Sequence, residues 1–413
     1  MTDKQAFVTL IFSKPWGELI GRIAEIVAGY PLYALSLLMP RKNNRWVLGT
    51  NVGFADNAKY LYFALEKEGE EAYWICPKRK AAKELRAQGV RAYYKYSRKG
   101  LHYCLTARYY AFTYHSHDIN FFTSGGAKKI NLWHGVGIKK GSTAVNGAIP
   151  YWLKRFLFPY RNERLAMFLS TSPVMNRHFQ QMFNFKNDCI YEGMYPRCAF
   201  LRQDLRLIEE HIQQHETEAT RALAKRMKTA KKVYIYMPTW RATLKDTFIE
   251  AAGIDFDEIE QIMQQTDSLF LVKLHPAVKI ERTHSAREHV VFMDRNMDIY
   301  PILPFTDMLI TDYSSIYYDY LLMDNKEVVL YPFDIEEYQR DSDSLAFDYD
   351  EYTPGKRVYT FTELVDILQG GSYPVEQREW VVETFWGKDY KEKNIEQLIK
   401  DIKATQSTDK KAS

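Results

Sequence analysis

The chain has 413 residues, of which 46% are hydrophobic and 26% are charged, a composition typical of a folded protein and not of a disordered one. This length is too great for one compact core, so two domains are expected. The net charge of +4 is small but uneven, because residues 78–99 are strongly basic and residues 334–351 strongly acidic. The asymmetry favours an anionic partner for the N-terminal half, although solvated helix faces explain the same pattern.

The four cysteines, Cys76, Cys104, Cys189 and Cys198, lie far apart and form no C-x-x-C pair. Such a pattern is typical of free thiols in a reducing cytoplasm. The N-terminus also lacks the charged start, apolar run and cleavage site of a signal peptide. We therefore expect a protein of the reducing cytoplasm.

The first element along the chain is an apolar stretch at residues 19–39, which two charges and Pro31 interrupt. Its uncharged part is shorter than the roughly 20 residues that a membrane-spanning helix needs. Basic residues follow at positions 41–45. Residues 1–43 are therefore predicted either to lie in the membrane interface with a basic flank or to pack as a helix on the first domain.

Short β-rich segments then alternate with amphipathic helical patterns, which predicts a parallel α/β fold. In the first half, the predicted strands lie at residues 45–50, 72–77, 109–113, 129–135, 166–172 and 188–193. In the second half, they lie at residues 232–238, 269–276, 290–294, 307–312 and 327–334. The sequence therefore predicts two Rossmann-like domains that face each other across a cleft, with ligands at the carboxyl ends of the strands.

The predicted boundaries follow from this alternation. The N-terminal segment is residues 1–43, the first Rossmann-like domain residues 44–200 and the second residues 232–403. A polar helical stretch at residues 201–231 is predicted to link the two domains, and the polar residues 404–413 are predicted to be disordered.

Residues that follow the strands of the second half are suited to hold a phosphate group. Arg241 and Lys273 supply positive charge, while Ser314 and Ser315 begin a helix predicted at residues 315–323. The N–H groups and dipole at a helix start favour an anion, and serine both caps a helix and donates to phosphate oxygens. Each feature alone also fits a plain cap or turn, but together they predict a diphosphate or nucleotide site.

The matching element of the first half is the stretch NLWHGVGIKKG, in which a predicted strand continues into its exit loop. His134 lies at the carboxyl edge of that strand and can take a proton from a hydroxyl near neutral pH. Gly135 lets the backbone approach a substrate closely. Lys139 and Lys140 can meet an anionic polymer or the transferred phosphate. A purely structural role for the histidine is the alternative.

His115 and His117 also follow a predicted strand, with the spacing H-x-H. This spacing occurs in metal sites, but no third ligand is evident nearby, so no metal site is predicted. A loosely held Mg²⁺ ion is compatible with the sequence.

Four motifs, NLWHGVGIKKG, YMPTWR, VKLHP and TDYSSIYYDYLLMDNKEVVLYPFDIEEY, occur in this order over roughly residues 129–360. They resemble the CDP-glycerol glycerophosphotransferase family, the teichoic-acid polymerases and primases of bacteria. The resemblance implies a GT-B-like fold and peripheral attachment to the cytoplasmic face of the cell membrane. It also implies transfer of glycerol phosphate or ribitol phosphate from CDP-glycerol or CDP-ribitol, with release of CMP. The acceptor would be a hydroxyl of a membrane-linked glycan or polymer, in the synthesis of teichoic acid or capsule.

The resemblance further implies roles for single residues. His134 matches the motif histidine proposed as the general base, and His275 matches a second histidine associated with the donor phosphates. The positions that match the donor site are Arg241, Lys273, Asp312, Ser314 and Ser315. Gly135, Lys139 and Lys140 are predicted to lie on the acceptor side. The loop WHGVGIKKG lacks the Thr-Pro of the family's more usual WHGTPLKKIG, a difference that concerns the identity of the acceptor more than the chemistry.

Three other interpretations fit parts of the sequence. A glycosyltransferase of the same architecture would use a nucleotide sugar, and a membrane-bound assembly factor would have an inactive site. The intact pair His134 and His275 argues against the inactive form. Nucleic-acid binding would suit the basic residues 78–99, but no recognised motif occurs and an anionic polymer or membrane explains the same charge, so no nucleic-acid partner is predicted.

Overall fold

A computed structural model describes residues 16–137, 139, 155–185, 188–241, 244, 247–274, 287–294, 296–341 and 345–405. The predicted site residues Lys140 and His275 lie outside these ranges. The chain divides into two compact units. The N-terminal unit comprises residues 1–134, 142–197 and 392–413, and the C-terminal unit comprises residues 135–141 and 198–391.

The N-terminal unit is built on a seven-stranded sheet with the order β3-β2-β1-β4-β5-β6-β7, in which every neighbouring pair is parallel. The strands are β1 Lys42–Gly49, β2 Glu71–Cys76, β3 Ala92–Tyr94, β4 Ala107–Phe112, β5 Lys128–Asn131, β6 Met167–Ser170 and β7 Ile190–Glu192. Trp46, Val47 and Leu48 are consecutive and fully buried. Such a continuous apolar run is typical of a parallel strand covered on both faces.

Helices connect these strands. They span Trp16–Leu38, Asp56–Lys67, Arg79–Ala87, Arg98–Thr106, Pro173–Phe183 and Ile395–Ala404, and Pro196–Leu201 lies at the boundary of the units. Three of them begin with a side-chain cap, in which Ser97, Ser172 and Asn394 accept from the backbone N–H three residues later. These caps satisfy N–H groups that the first helical turn leaves without a partner.

The C-terminal unit repeats the plan with a six-stranded parallel sheet of order β10-β9-β8-β11-β12-β13. Its strands are β8 Val233–Tyr236, β9 Leu269–Val272, β10 Val290–Phe292, β11 Met308–Thr311, β12 Glu327–Leu330 and β13 Lys356–Arg357. Its helices are Leu205–His215, Glu218–Met227, Phe248–Ala251, Phe256–Thr266, Ile316–Tyr320, Ile335–Asp341, Tyr349–Tyr352, Phe361–Gln369 and Arg378–Trp386. In both sheets the chain starts in the middle and winds outward, as in Rossmann folds.

Two expectations about these helices differ from the structure. The predicted linker at 201–231 forms Leu205–His215 and Glu218–Met227, and both helices belong to the C-terminal unit. The helix predicted at 315–323 is only Ile316–Tyr320. Its Ser315 makes no side-chain cap hydrogen bond, so the predicted serine cap is wrong for this residue.

The last helix lies in the N-terminal unit, whereas the sequence predicts a second domain that continues to residue 403. Leu398, Ile399 and Ile402 are buried. Lys128 Nζ donates to the carbonyl of Lys403 at 2.9 Å, next to the end of the helix. These contacts with the first sheet place the boundary after Lys391.

The helix Trp16–Leu38 packs one face on the N-terminal unit through Ile26, Tyr30 and Tyr33, which contact the rings of Phe121 and Phe122. Other apolar side chains on it are open to solvent, with Val27 68% and Leu38 82% exposed. No helix in the described ranges is both long enough and apolar enough to cross a membrane.

The basic flank of this helix is mostly engaged within the fold. Arg41 donates to the backbone carbonyls of Cys104, Ala107, Ser36, Thr123 and Gly125. Arg45 is buried and forms an ion pair with Glu71 at 2.6 Å. The predicted basic flank therefore offers exposed charge only at Lys42 among these three residues.

Candidate functional site

The loop after β5 has an unusual backbone. Trp133 has a φ of 52° and Gly135 a φ of 146°. The left-handed value is rare for a bulky residue such as tryptophan, and the value at Gly135 is open only to glycine. Backbone strain of this kind clusters at functional sites, where the surrounding structure must stabilise it. The strained turn presents His134 between these two residues.

Two asparagines hold this turn in place. Asn57 Nδ2 donates to the carbonyls of Leu132 at 3.2 Å and Trp133 at 2.9 Å. Asn131 Oδ1 accepts from the N–H of Trp133 at 2.8 Å. Asn57 is fully buried, with 0% of its side chain exposed. Buried amides of this type are expensive to remove, because the carbonyls they satisfy lose their partner.

The imidazole of His134 lies between two aromatic rings. Its centroid is 4.3 Å from that of Tyr114, nearly parallel to it, and 4.0 Å from that of Trp133. Burial lowers the pKa of His134 to about 4, and the carboxylate of Asp56 partly opposes this shift. The ring is therefore neutral near pH 7 and can accept a proton. Asp56 stabilises the cation that would form.

Three buried polar atoms lie at the ends of β4, β5 and β6, which are neighbours in the sheet. They are Thr113 Oγ1, His134 Nδ1 and Ser170 Oγ, and none has a hydrogen-bond partner among the described residues. Thr113 and Ser170 are fully buried. Buried polar groups are usually paired, so these unpaired ones are exceptions that call for a functional explanation. The sequence analysis did not select Thr113 or Ser170, although both fall within predicted strands.

In the C-terminal unit, Arg241 and Asp312 follow the adjacent strands β8 and β11. Arg241 Nη1 donates to Asp312 Oδ2 at 2.5 Å, and its Nε and Nη2 donate to the two oxygens of Asp334 at 2.8 and 2.7 Å. All three side chains are buried, with exposures of 2% to 6%. The predicted phosphate ligand Arg241 is thus committed to two carboxylates. Asp334, which follows β12, was not among the predicted site residues.

Ser314 and Ser315 lie directly after this ion-paired group, and both are half-buried. No hydrogen bond from either hydroxyl reaches a described residue, so both are available to a ligand. The helix that follows has five residues. Its dipole is correspondingly small, which leaves less anion stabilisation than the sequence predicts.

Lys273 follows β9 and is half-buried. Its Nζ donates to the carbonyls of Asp294 and Met297, both at 2.8 Å. Burial lowers the pKa of Lys273 to about 8, against the smaller opposing effects of Asp294 and Asp298. The ammonium is therefore mostly charged at pH 7 but easily neutralised above pH 8.

Lys139 belongs to the C-terminal unit. It forms an isolated antiparallel bridge with Leu345, and its Nζ lies 5.6 Å from the ring centroid of Tyr338. The predicted site residues thus fall into two sets. The first set consists of His134 and its chain neighbour Gly135. The second set lies at the carboxyl edge of the second sheet and consists of Arg241, Lys273, Asp312, Ser314 and Ser315.

The H-x-H pair does not form a metal site in the described part of the chain. Burial lowers the pKa of His115 to about 4, and the ring of His117 stacks on Tyr160 at 4.6 Å. Within the described ranges, no group of three or more His, Cys, Asp or Glu side chains is placed to hold a metal ion.

Two doubly wound parallel sheets in one chain define the GT-B-like class of folds. A solved structure of a histidine-to-asparagine variant of the wall teichoic acid polymerase TagF matches with a TM-score of 0.68 and 17% identity, over 94% of this chain and 98% of that one. A likeness at this identity establishes the fold, and it confirms the GT-B-like prediction.

The chain belongs to the CDP-Glycerol:Poly(glycerophosphate) glycerophosphotransferase family, whose model matches residues 32–396. It is 25% identical over 371 residues to the teichoic acid poly(glycerol phosphate) polymerase of Bacillus spizizenii, covering 85% of this chain and 88% of that protein. It is 32% identical over 180 residues to the teichoic acid ribitol-phosphate polymerase TarK of Staphylococcus aureus. The chain spans only 26% to 40% of the length of the ribitol-phosphate polymerases that it matches. The family predicted from the four motifs is confirmed.

Proposed function

We propose that this protein transfers glycerol phosphate or ribitol phosphate from a CDP-activated donor to a hydroxyl of a growing or lipid-linked polymer, releasing CMP. Membership of the glycerophosphotransferase family supports the reaction class. The observation that carries the proposal is His134, a neutral histidine held by a strained turn at a sheet edge.

In the proposed reaction, His134 takes the proton of the acceptor hydroxyl as that oxygen attacks the polyol-linked phosphorus of the donor. The bond between this phosphorus and the bridging oxygen breaks, and CMP leaves with the electron pair. Phosphoryl transfer depends mainly on positioning and electrostatics. Thr113 and Ser170, whose buried hydroxyls have no partner among the described residues, are suited to bind the acceptor hydroxyls.

The donor is proposed to bind at the carboxyl edge of the second sheet. The hydroxyls of Ser314 and Ser315 can donate to phosphate oxygens, and the Lys273 ammonium supplies charge. His275 is proposed to assist there on the strength of its motif, although it lies outside the described residues. No resident cofactor is proposed, and a requirement for Mg²⁺ is open to a chelation test.

Peripheral attachment to the cytoplasmic face of the membrane is a finer part of the proposal. Its support is the helix Trp16–Leu38, on which Val27, Leu35 and Leu38 are exposed. Apolar side chains on an interfacial helix contribute binding energy in proportion to the area they bury in lipid. The acceptor is proposed to be a teichoic-acid-like polymer or a capsule polymer.

The test is to incubate the purified protein with a lipid-linked acceptor and either CDP-glycerol or CDP-ribitol, and to measure CMP. Release that depends on acceptor and is lost in His134→Ala supports the proposal, and the donor that is consumed names the polyol. If neither donor yields CMP while a nucleotide sugar is consumed, the glycosyltransferase alternative replaces it.

A further inference from the structure

The guanidinium of Arg241 ties together three neighbouring strand ends. Arg241 follows β8, Asp312 follows β11 and Asp334 follows β12, and these strands are adjacent in the order β8-β11-β12. The ion pairs described above, with N–O distances of 2.5 and 2.7 Å, cross this whole width. Nη1 of Arg241 also donates to the carbonyl of Thr239. We call Arg241, Asp312 and Asp334 the strand-end staple.

The staple is poorly suited to bind a phosphate directly. Its charges are one guanidinium and two carboxylates, so the group carries an excess of negative charge and repels an anion. The Arg241 side chain is only 2% exposed. Burial alone would lower the pKa of Arg241, but Asp312 and Asp334 raise it well above its usual value. A phosphate would have to break a buried ion pair, which leaves a carboxylate uncompensated.

The staple instead fixes the backbone on either side of it. Asp312 accepts from the N–H of Thr239 at 2.9 Å and from the N–H of Tyr313 at 2.6 Å. The hydroxyl of Tyr313 donates to Asp334 at 3.3 Å. Ser314 and Ser315 follow Tyr313 directly in the chain, so the staple holds the backbone from which the serine pair continues.

The same group also lies next to Lys139 through two tyrosine rings. The rings of Tyr313 and Tyr338 stack with centroids 3.9 Å apart, and the Arg241 guanidinium lies 5.2 and 5.5 Å from them. The ammonium of Lys139 lies over the ring of Tyr338, and its backbone pairs with Leu345. A cation over an aromatic ring contributes a specific, directional attraction.

We propose that the strand-end staple consists of positioning residues. They hold the backbone that leads into Ser314 and Ser315 and, through the Tyr313–Tyr338 stack, Lys139, and they do not bind the donor. The proposal rests on the proposed function and deepens it. It changes the roles expected of Arg241 and Asp312 from phosphate ligands to positioning residues, and it adds Asp334.

The direction in which one substitution changes donor affinity distinguishes a phosphate ligand from a positioning residue. If Arg241 were a phosphate ligand, Asp334→Asn would free its guanidinium and tighten binding of CDP-glycerol or CDP-ribitol, measured by calorimetry without acceptor. The staple predicts instead that Asp334→Asn and Arg241→Lys each weaken binding by about 10-fold or more. The double variant should be little worse than the worse single one, because contacting residues do not act additively.

A control pair of the same residue types lies in the same unit, although its Asp257 side chain is 72% exposed. Arg287 donates from Nε and Nη2 to Asp257 Oδ1 at 2.9 and 2.7 Å, in a pair that lies on the helix Phe256–Thr266 and before β10. Arg287→Lys and Asp257→Asn should leave donor binding within about 2-fold of the unchanged protein. Tighter binding in Asp334→Asn would overturn the proposal.

Amide hydrogen exchange tests the staple without any donor. The backbone N–H groups of Thr239 and Tyr313 donate hydrogen bonds to Asp312. Arg241→Lys should therefore speed amide exchange in peptides that contain these two residues, whereas Arg287→Lys should not. Unchanged exchange in these peptides would refute the positioning role even if the enzyme is active. If the unchanged protein neither binds nor turns over a CDP-polyol, the proposed function fails, and the exchange result still decides the staple.

Discussion

At the scale of single residues, the protonation state of His134 leads to a first prediction. His134→Ala should lower acceptor-dependent CMP release by about 10²- to 10⁴-fold, the usual contribution of a general base. Donor affinity should stay within a few-fold, because the histidine belongs to the unit of the first sheet. Rates of CMP release and calorimetric titration with donor measure the two effects.

The exposed His102 provides the control, since it lies in the same unit and its Nε2 is hydrogen-bonded to Arg45 Nη1 at 3.3 Å, outside the turn after β5. His102→Ala should retain nearly full activity. An equal loss in both variants would indicate a general effect on folding, and full activity of His134→Ala would remove the histidine from the mechanism.

The acid side of the pH profile gives a second prediction for His134. Its pKa is lowered to about 4 by burial, so the base stays neutral well below the usual histidine pKa of about 6.5. We therefore expect that titration of His134 produces no inflection near pH 6.5 in the pH profile of kcat/KM. The profiles of the unchanged protein and of His134→Ala should have the same shape in that range. The folded state loses stability as pH falls from about 6.5 through 4, because the unfolded chain binds the proton first. An inflection near 6.5 that depends on His134 would contradict this assignment.

Lys273 leads to a prediction on the alkaline side. Its pKa of about 8 means that its charge is lost as the pH rises above 8, and donor affinity should fall with it. The stability of the folded state changes in the opposite direction. The unfolded lysine keeps its proton up to about pH 10.4, so the contribution of this group to stability rises between about pH 8 and pH 10.4. Lys273→Arg should extend donor binding to higher pH, and an unchanged alkaline profile would exclude Lys273 as the source of the charge.

At the scale of elements, most of the fold could be predicted from the sequence. The strands of both sheets that contain apolar runs were located within a few residues, because burial on both faces demands such runs. The two missed strands, β3 and β13, have only three and two residues. β13 consists of two charged residues and β3 lies within the basic residues 78–99, so neither forms an apolar run that the sequence alone would show. Each pairs with a longer neighbouring strand.

The candidate site was predicted less completely, for a physical reason. Strand ends gather polar residues at one edge of a sheet, and in the structure Arg241, Asp312 and the serine pair follow the adjacent strands β8 and β11. The rule gives no partner for each charge. One partner that neutralises Arg241 is Asp334, which is far from it in the sequence. The two residues come close because β8, β11 and β12 are neighbours in the sheet.

The turn after β5 gives a prediction at the element scale. Asn57→Ala removes the two donors that hold the carbonyls of Leu132 and Trp133, which should cost about 1–3 kcal/mol of unfolding free energy. Because Trp133 has a strained φ of 52°, the turn should relax and CMP release should fall by more than 10-fold. Denaturant titration and turnover measure both.

Asn394→Ala is the matched variant, since it removes a helix cap at a cost of about 1 kcal/mol without touching this turn. A similar drop in stability with nearly full activity is expected there. If the two variants lost activity equally, the asparagine would act through stability alone.

At the scale of the whole molecule, the chain leaves the N-terminal unit and returns to it at the end. The helix Ile395–Ala404 packs with the first sheet, although about half of the sequence lies between them. Lys403 Nζ pairs with Glu70 at 2.6 Å, and Lys393 Nζ donates to the carbonyl of Thr171 at 2.9 Å. The N-terminal unit is therefore incomplete without the helix Ile395–Ala404, which lies far along the chain from the sheet it packs on.

Ending the chain after Lys391 therefore tests the division of the molecule. The truncation exposes the apolar surface that Leu398, Ile399 and Ile402 cover, each worth about 1.5–3 kcal/mol when fully buried. We expect the N-terminal unit to unfold at a lower denaturant concentration, while the C-terminal unit retains its transition and its donor binding. Ending the chain after Thr405 should change neither transition. If the C-terminal unit lost stability instead, the helix Ile395–Ala404 would stabilise the second sheet and not the first. That outcome would support the sequence prediction of a second domain that continues to residue 403.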